Sequence, residues 1–548
     1  MVCAELPLNP RLFALALALL AKLAVGAPVD GESAFTLPPV LPQDALRWNS
    51  PAAFQHFERV VFHGNTVVSS AELAALAAPY LGRDVGVDEL EELRLRLTRL
   101  YIDRGYVSSG VVIEEQVGPE LRFQVIEGRL AGVRLQGMQG LADDYVVRRL
   151  LPPGDAILNM DNLRERFQLL LGDPLFAGMN ARVTPGEQAG EAWLDVDVVR
   201  ARPHQWELRF DNHRPESLGS ESVTLAGTLR NLSGQGDQLD LSLQQPTRVA
   251  AGARAAVAWR LPLGQRGTQL LLALDHSHSS VAEEPVNALD IRSRLRSREI
   301  GLSQTLVDTL RGNLSLGLAR VQRESSTSLL GELFSFTPNE PSGITREQLW
   351  RFWQEASWRS ERQVLALRST LLSGHSNVRD GDGEGGTAAT WPAREFHLWM
   401  LQAQYARVMN ATGGRLVIRA QAQRSPQRLL ALDGMAIGGA ASVRGFRENQ
   451  LVRDQGRFIN IEYEWPLMRD GGTGLNWTLI PFVDHGVGGN HAQDAVSLSS
   501  WGISNRWQWR GLSVDLTLAR RMTQPASLAP GNASLQDRGI HFQLRYKF

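Results

Sequence analysis

From about position 203 to its last residue the chain alternates. QWELRFDN, QLDLSLQQ, NLSLGLAR, FINIEYEW, SVDLTLAR and HFQLRYKF each place apolar residues at every second position. In the last of these, Phe542, Leu544, Tyr546 and Phe548 fall on one side, and Gln543, Arg545 and Lys547 on the other. A period of two with one apolar side marks strands whose two faces meet different surroundings. Stretches rich in Gly, Asp, Asn and Ser, such as NVRDGDGEGGT, separate the runs. At about 9–11 residues per membrane strand, roughly 350 residues hold about 16 antiparallel strands, an even number as bacterial barrels require. The sides opposite the apolar ones carry Glu, Arg, Asp and Gln, which suits a wet lumen. Trp206, Trp465, Trp477 and Trp501 recur near strand ends, where an interfacial girdle would put them. A soluble sandwich or propeller is the rival. The alternation that runs to an aromatic final residue counts against it.

The other end of the chain carries an export signal. Arg11 precedes the apolar run LFALALALLA, and AVGA follows before Pro28. A spanning helix needs about 20 residues, whereas a signal core needs about 7–15. Residues 1–27 are therefore expected to be a signal peptide cleaved after Ala27. Cys3, the single cysteine, leaves with it, and a thiol-free mature chain suits an oxidising envelope compartment. Beyond it no run qualifies as a membrane helix, so the mature chain is soluble outside the cytoplasm or enters a membrane as a barrel. A formal net charge of -1 gives no bulk attraction to nucleic acid.

Between these ends lies a repeat. Residues 28–54 hold Pro38, Pro39, Pro42 and Pro51 and read as a linker, with a possible plug segment around DALRW. FERVVFHGN then reads as a strand. SSAELAALAAPYLG reads as a helix with Ser69 and Glu72 at capping-box spacing. VDELEELRLRLTRLYIDRG reads as a second helix, with Leu90, Leu93, Leu97 and Leu100 on one face and Gly105 at its end. VSSGVVIEEQ and ELRFQVIEG are strands. The order β-α-α-β-β over 55–128 recurs over 129–202, in LAGVRLQG, DDYVVRRLL, NMDNLRERFQLLLG, AGMNARVTPG and AWLDVDVVRA. Two successive copies of a unit of roughly 75 residues form a repeat.

Enzyme signatures are missing from the sequence. It holds no GxxxxGK[ST] phosphate loop, no HExxH, no GxSxG and no cysteine metal set. The reading is of a non-enzyme with no cofactor and no metal. His276 and His278 in DHSHSS share one face of a strand and read as a solvated strand end. Two stretches stand out. Asp484 sits in the apolar run LIPFVDHG, and an Asp cannot face lipid cheaply. Alternation turns it inward together with Phe482 and Gly486, where a carboxylate wants a cation. Arg444, in IGGAASVRGFRENQ, could supply a planar, always-charged fork from a glycine-flanked segment. The residues alone leave open whether the two meet or each is solvated.

SVRGF, the strand FINIEYEW and FVDHG, taken in order, resemble the two-partner secretion transporters of Gram-negative outer membranes. These are the hemolysin secretion/activation proteins, within the superfamily of POTRA-bearing barrels. RVVFHGNT with RLYIDRGYVSS resembles the first POTRA domain of that family. FDNHRPESLGSES with TLRNLSGQGDQLDLSL resembles its first barrel strands. The resemblance implies POTRA domains at 55–128 and 129–202 in the periplasm and a 16-stranded barrel over 203–548. It also implies a loop around 436–450 folded into the pore. Val443, Arg444, Gly445 and Phe446 stand at its tip, latched to Phe482, Asp484 and Gly486 through an Arg444–Asp484 contact. Phe542, Leu544, Tyr546 and Phe548 map to a C-terminal membrane-insertion signal. The implied partners are one large secreted exoprotein, unfolded in the periplasm, together with outer-membrane lipid and the barrel-assembly machinery, with no nucleic acid and no ATP. An assembly factor of the same superfamily and a passive channel are the alternatives. The first usually carries more POTRA units, and the second needs none.

Overall fold

The alternating half closes on itself. The structure, a computed structural model, describes residues 35–36, 54–114, 118–151, 157–248, 251–264, 267–337, 339–379, 391–409, 413–491, 493–524 and 534–548. The expected signal peptide and plug segment lie outside the described residues.

The first unit comprises β1 (Arg59–His63), α1 (Ser70–Ala77), α2 (Val87–Asp103), β2 (Gly110–Ile113) and β3 (Glu120–Ile126). β3 lies centrally, parallel to β1 and antiparallel to β2. The leucine stripe sets this arrangement. Leu90, Leu93 and Leu97 are fully buried against Val111, Leu121 and Phe123, while Leu100 packs at the margin. Asp88 and Glu89 occupy the first turn of α2, where the helix dipole favours negative charge. Gly105 ends that helix at φ +87°, in the left-handed region a side chain resists. The capping box on α1 forms by half. Ser69 accepts the Glu72 backbone N–H at 3.3 Å, but the Glu72 carboxylate turns to Arg104 and ties α1 to the end of α2.

The second unit repeats the plan with β4 (Arg129–Gln136), α3 (Asp143–Leu150), α4 (Met160–Leu171), β5 (Phe176–Pro185) and β6 (Glu191–Arg200). β6 is central, parallel to β4 and antiparallel to β5. The open edge of β5 takes Phe35–Thr36 as a parallel strand, in register with Ala181 and Arg182. The two units touch end to end. The Met160 N–H donates to the Gly105 carbonyl at 2.8 Å, and Asn159 Nδ2 donates to the Arg104 carbonyl at 2.9 Å.

Sixteen long strands follow. They are β7 (His204–Asp211), β8 (Ser222–Arg230), β9 (Gln238–Pro246), β10 (Gly252–Pro262), β11 (Thr268–Ser280), β12 (Arg292–Asp308), β13 (Gly312–Leu329) and β14 (Ile344–Arg359). β15 (Gln363–Ser376), β16 (Glu395–Val408), β17 (Arg415–Arg424), β18 (Gln455–Arg469), β19 (Leu475–Gly489), β20 (Val496–Trp509), β21 (Leu512–Arg521) and β22 (Ile540–Lys547) complete the set. Neighbours pair antiparallel, and β7 pairs with β22 to close the cylinder. Closure leaves no sheet edge in lipid.

The faces are inverted relative to a soluble protein. Leu274, Ile300, Leu302, Leu318, Leu371, Val483 and Trp501 stand exposed on the outside, while Asp484, Glu462 and Ser500 are buried inside. Short turns at one end meet the second unit. The Ala142 N–H donates to the Gly234 carbonyl at 2.9 Å, and the Leu310 N–H to Glu165 Oε1 at 3.3 Å. The longer connections gather at the opposite end. Val443 and Phe446 come from the longest of them, residues 425–454, which runs between β17 and β18.

Replacement of Leu97 by alanine should lower the unfolding free energy of the first unit by about 2–5 kcal/mol. Hydrogen exchange read by mass spectrometry on the full chain should show faster exchange in α2 and β3 with barrel amides unchanged. Equal acceleration in the barrel would contradict separate cores.

Candidate functional site: a loop pinned inside the barrel

Residues 425–454 turn inward instead of outward. Two short strands, Met435–Ile437 and Leu451–Arg453, pair antiparallel and carry the segment into the lumen. Their apolar side chains make this possible. Met435, Ile437, Val443, Phe446 and Leu451 cluster with Leu498 of β20, all buried. Such a patch inside a wet cylinder is an anchor by area alone, since burial is favourable by about 25 cal/mol per Å².

The tip places Arg444 against the wall. Its Nε and Nη2 donate to the two oxygens of Asp484, each at 2.7 Å. Its backbone N–H donates to Asp484 Oδ2 at 3.0 Å. Asn460 Nδ2 adds a fourth donor, to Oδ1, at 2.8 Å, and the same amide donates to the Ser442 carbonyl. A carboxylate has about four acceptor positions, and all are used here. The third guanidinium arm, Nη1, pairs with Glu462 Oε1 at 2.7 Å, which also accepts from Arg419 Nη1 at 3.0 Å. Two cations and two anions therefore share the site. Beneath the guanidinium lies Phe482, with its ring centroid 3.5 Å from Cζ, a cation–π contact in a desolvated setting. Asp484 is 0% exposed and Arg444 7%. Either charge buried alone would cost several kcal/mol.

The strands dictate these positions. Phe482, Asp484 and Gly486 alternate inward on β19 while Val483 and His485 face out. A Cβ on Gly486 would stand 2.7 Å from Ile437 Cγ2 and 2.8 Å from Val443 Cγ2, so the bare backbone is the seat for the loop. Gly445 turns the tip at φ +89°, with room for a Cβ only 3.0 Å from that of Ala519. All seven residues expected at the site, Val443, Arg444, Gly445, Phe446, Phe482, Asp484 and Gly486, come together.

A second set of ties holds the segment after the tip. The Gly445 N–H donates to His541 Nε2 at 3.0 Å, and Arg521 Nε donates to the Gly445 carbonyl at 2.5 Å. Arg447 bonds both oxygens of Asp537 at 2.8 Å and Glu283 at 2.8 Å. The Arg447 guanidinium holds the Asp537 carboxyl, in the connection before β22, down to about 2. The sequence reading missed Asn460, Glu462 and Arg419. The alternation of FINIEYEW carries Asn460 and Glu462 inward with the same logic as Asp484, and was the available signal. No sequence signal joins Arg447 to Asp537. The four C-terminal residues lie in the closing seam. Phe542 packs on Phe210 at 5.2 Å, and Tyr546 stacks on Phe548 at 5.7 Å. Among the described residues, no His, Asp, Glu or Cys group has a metal-binding arrangement.

Comparison with known proteins fits this geometry. Residues 190–507, more than half of the chain, match the family described as haemolysin secretion/activation protein ShlB/FhaC/HecB.

The chain belongs to this family.

Residues 56–128 match the POTRA domain of ShlB type. Among its relatives is the outer membrane transporter CdiB of Dickeya dadantii, 24% identical over 497 residues that cover 86% of this chain and 83% of the relative. Another is the heme/hemopexin transporter protein HuxB of Haemophilus influenzae, 20% identical over 413 residues, 74% and 71% of the two chains. Among solved structures, CdiB from Escherichia coli has the same fold, with a TM-score of 0.69 at 20% identity over all of both chains. BamA from Haemophilus ducreyi lacking POTRA domains 1–3 shares it at 0.52 and 12%, over 90% of this chain and 100% of that one. The barrel is an outer-membrane barrel, with its POTRA end in the periplasm.

Asp484→Ala would leave Arg444 with Glu462 alone. Docking of the loop should weaken by about 3–5 kcal/mol. Protease added outside intact cells should then cut within 437–450, with heat-modifiable migration of the barrel unchanged. Protection equal to the parent would show that the pair does not hold the loop.

Proposed function

We propose that the protein recognises one large partner protein in the periplasm and exports it through the lumen without ATP. In this reading the Arg444–Asp484 contact latches the loop that closes the path. The observation that carries it is the tip itself. In a barrel of this family, a segment folds into the lumen and is held at its tip by a buried, fully hydrogen-bonded ion pair. Such a pair is stable when complete and costly when half-broken, which suits a gate with two positions. The partner, leaving unfolded and folding outside, would supply the direction of transport.

The periplasmic units would meet the partner as an extended chain. Phe35–Thr36 already adds to β5, so strand addition is a mode this sheet accepts, and main-chain pairing of that kind is tolerant of sequence. Phe542, Leu544, Tyr546 and Phe548, on the strand that closes the barrel, would serve as the signal read by the barrel-assembly machinery. An assembly factor of the same superfamily is the alternative reading, but two POTRA units and a relative named as a transporter favour export.

Proteins released by the native host with and without this gene should be compared by mass spectrometry. Loss of one large protein, with other outer-membrane barrels at normal levels, is the expected result. A general fall in barrels would replace export by assembly. Arg444→Asp and Asp484→Arg should each reduce release of that protein at least several-fold, and the double exchange should restore part of it. Normal release from both single variants would remove the latch from the mechanism.

A further inference from the structure

The outer face of β12 changes character halfway along its length. Toward the periplasm it shows Ile300 and Leu302, both half exposed among neighbouring Leu274 and Leu318. Toward the long-loop end the same face shows Arg298, Arg296, Arg294 and Arg292, every one exposed. Alternate residues of a strand stand about 7 Å apart, so the four guanidinium groups form a ladder about 20 Å long. The periplasmic position of the second unit puts this half of the strand at the outer leaflet and above.

Neighbouring strands do not neutralise it. Across β11, His278 stands opposite Arg294, His276 opposite Arg296 and Leu274 opposite Arg298. Across β13, Gln322 stands opposite Arg298 and Glu324 opposite Arg296. Glu324 is already bonded to Arg346 Nε at 2.9 Å, and Arg292 is bonded to Asp290 Oδ1 at 2.9 Å. Among the described residues, Arg294, Arg296 and Arg298 have no carboxylate partner. The inward face of the same stretch holds Glu299, which is committed to Arg351.

The level of the ladder is marked independently. Arg320, opposite Ile300 on β13, lies 5.0 Å from the ring centroid of Trp350. An exposed Trp beside an Arg on the outside of a barrel marks the depth at which acyl chains end and headgroups begin. The unpaired arginines start one rung above that depth. A run of like charges at this spacing repels itself, and is relieved by an anion that bridges two forks.

We propose that this face binds a phosphorylated, multi-acyl glycolipid of the outer leaflet, of the lipid A type. Arg294, Arg296 and Arg298 take its phosphates through bidentate hydrogen bonds. Its acyl chains lie along Leu274, Ile300, Leu302 and Leu318. The apolar lower half and cationic upper half of one strand match the two ends of such a molecule. The site is separate from the latch, which lies on the inner face.

Full-length protein in neutral detergent should be titrated with bis-phosphorylated lipid A and read by native mass spectrometry. Dephosphorylated lipid A and inorganic pyrophosphate serve as the other two probes. Lipid A should stay bound, and Arg294→Gln/Arg296→Gln/Arg298→Gln together should weaken it at least tenfold, with heat-modifiable migration unchanged. The triple lysine variant, which keeps the charge, should lose less than the glutamine variant, with heat-modifiable migration again unchanged. Dephosphorylated lipid A should bind weakly and equally to parent and glutamine variant. Equal lipid A binding by parent and glutamine variant would overturn the proposal, including the case in which that variant loses export alone, as an acidic stretch of the partner would cause. Dephosphorylated lipid binding as well as lipid A, or pyrophosphate binding as tightly, would overturn it as well.

Discussion

A charge cannot stay buried without its counter-charge, and the interior of this barrel is arranged around that rule. Asp484 lies on a strand that must show lipid one face, so its inward turn is forced. Once inside and out of reach of water, it needs donors. Arg444 supplies three of them, two from the guanidinium and one from its own backbone. The loop must therefore come to the wall, and its apolar side chains must come with it. The glycine at 486 leaves the space they occupy. Each of these features is explained by the preceding one, and the chain begins with a single carboxylate in an apolar run.

The same rule, applied to the outside, accounts for the rest of the cylinder. Sixteen strands expose leucine, valine and tryptophan to lipid and turn Glu, Arg and Ser inward. The two N-terminal units obey ordinary aqueous rules instead. In each unit the helices bury one stripe against one face of a sheet of three or four strands, and exposed charges pair as Glu72 does with Arg104.

How much of this could be read beforehand follows from the range of each interaction. Strand alternation and the leucine stripe of α2 are local, and both appear in the sequence at the right places. Asp484 announced itself by being out of character with its neighbours, and Arg444 by its flanking glycines. Glu462 did not, because an acid in a strand of alternating polarity looks ordinary until the partner at 444 is set against it. Arg447 and Asp537 join two loops 90 residues apart, and nothing local marks either. The half-formed cap at Ser69 has the same origin. The spacing to Glu72 was visible, but the competing Arg104 lies 32 residues on.

The ties on the inward loop have a collective property. Asp484 is on β19, Glu462 and Asn460 on β18, Arg521 on β21 and His541 on β22, while Asp537 and Glu283 belong to connections at the far end. The loop is thus stitched to many separate parts of the cylinder within a few residues of its tip. The ties at 444, 445 and 447 fall within four residues of chain, so a displacement of one of these residues strains the bonds made by the others. A pull on the loop would meet resistance until all of them yield at once. If the loop closes the path as proposed, sharing the load among these ties would make it a catch with a threshold.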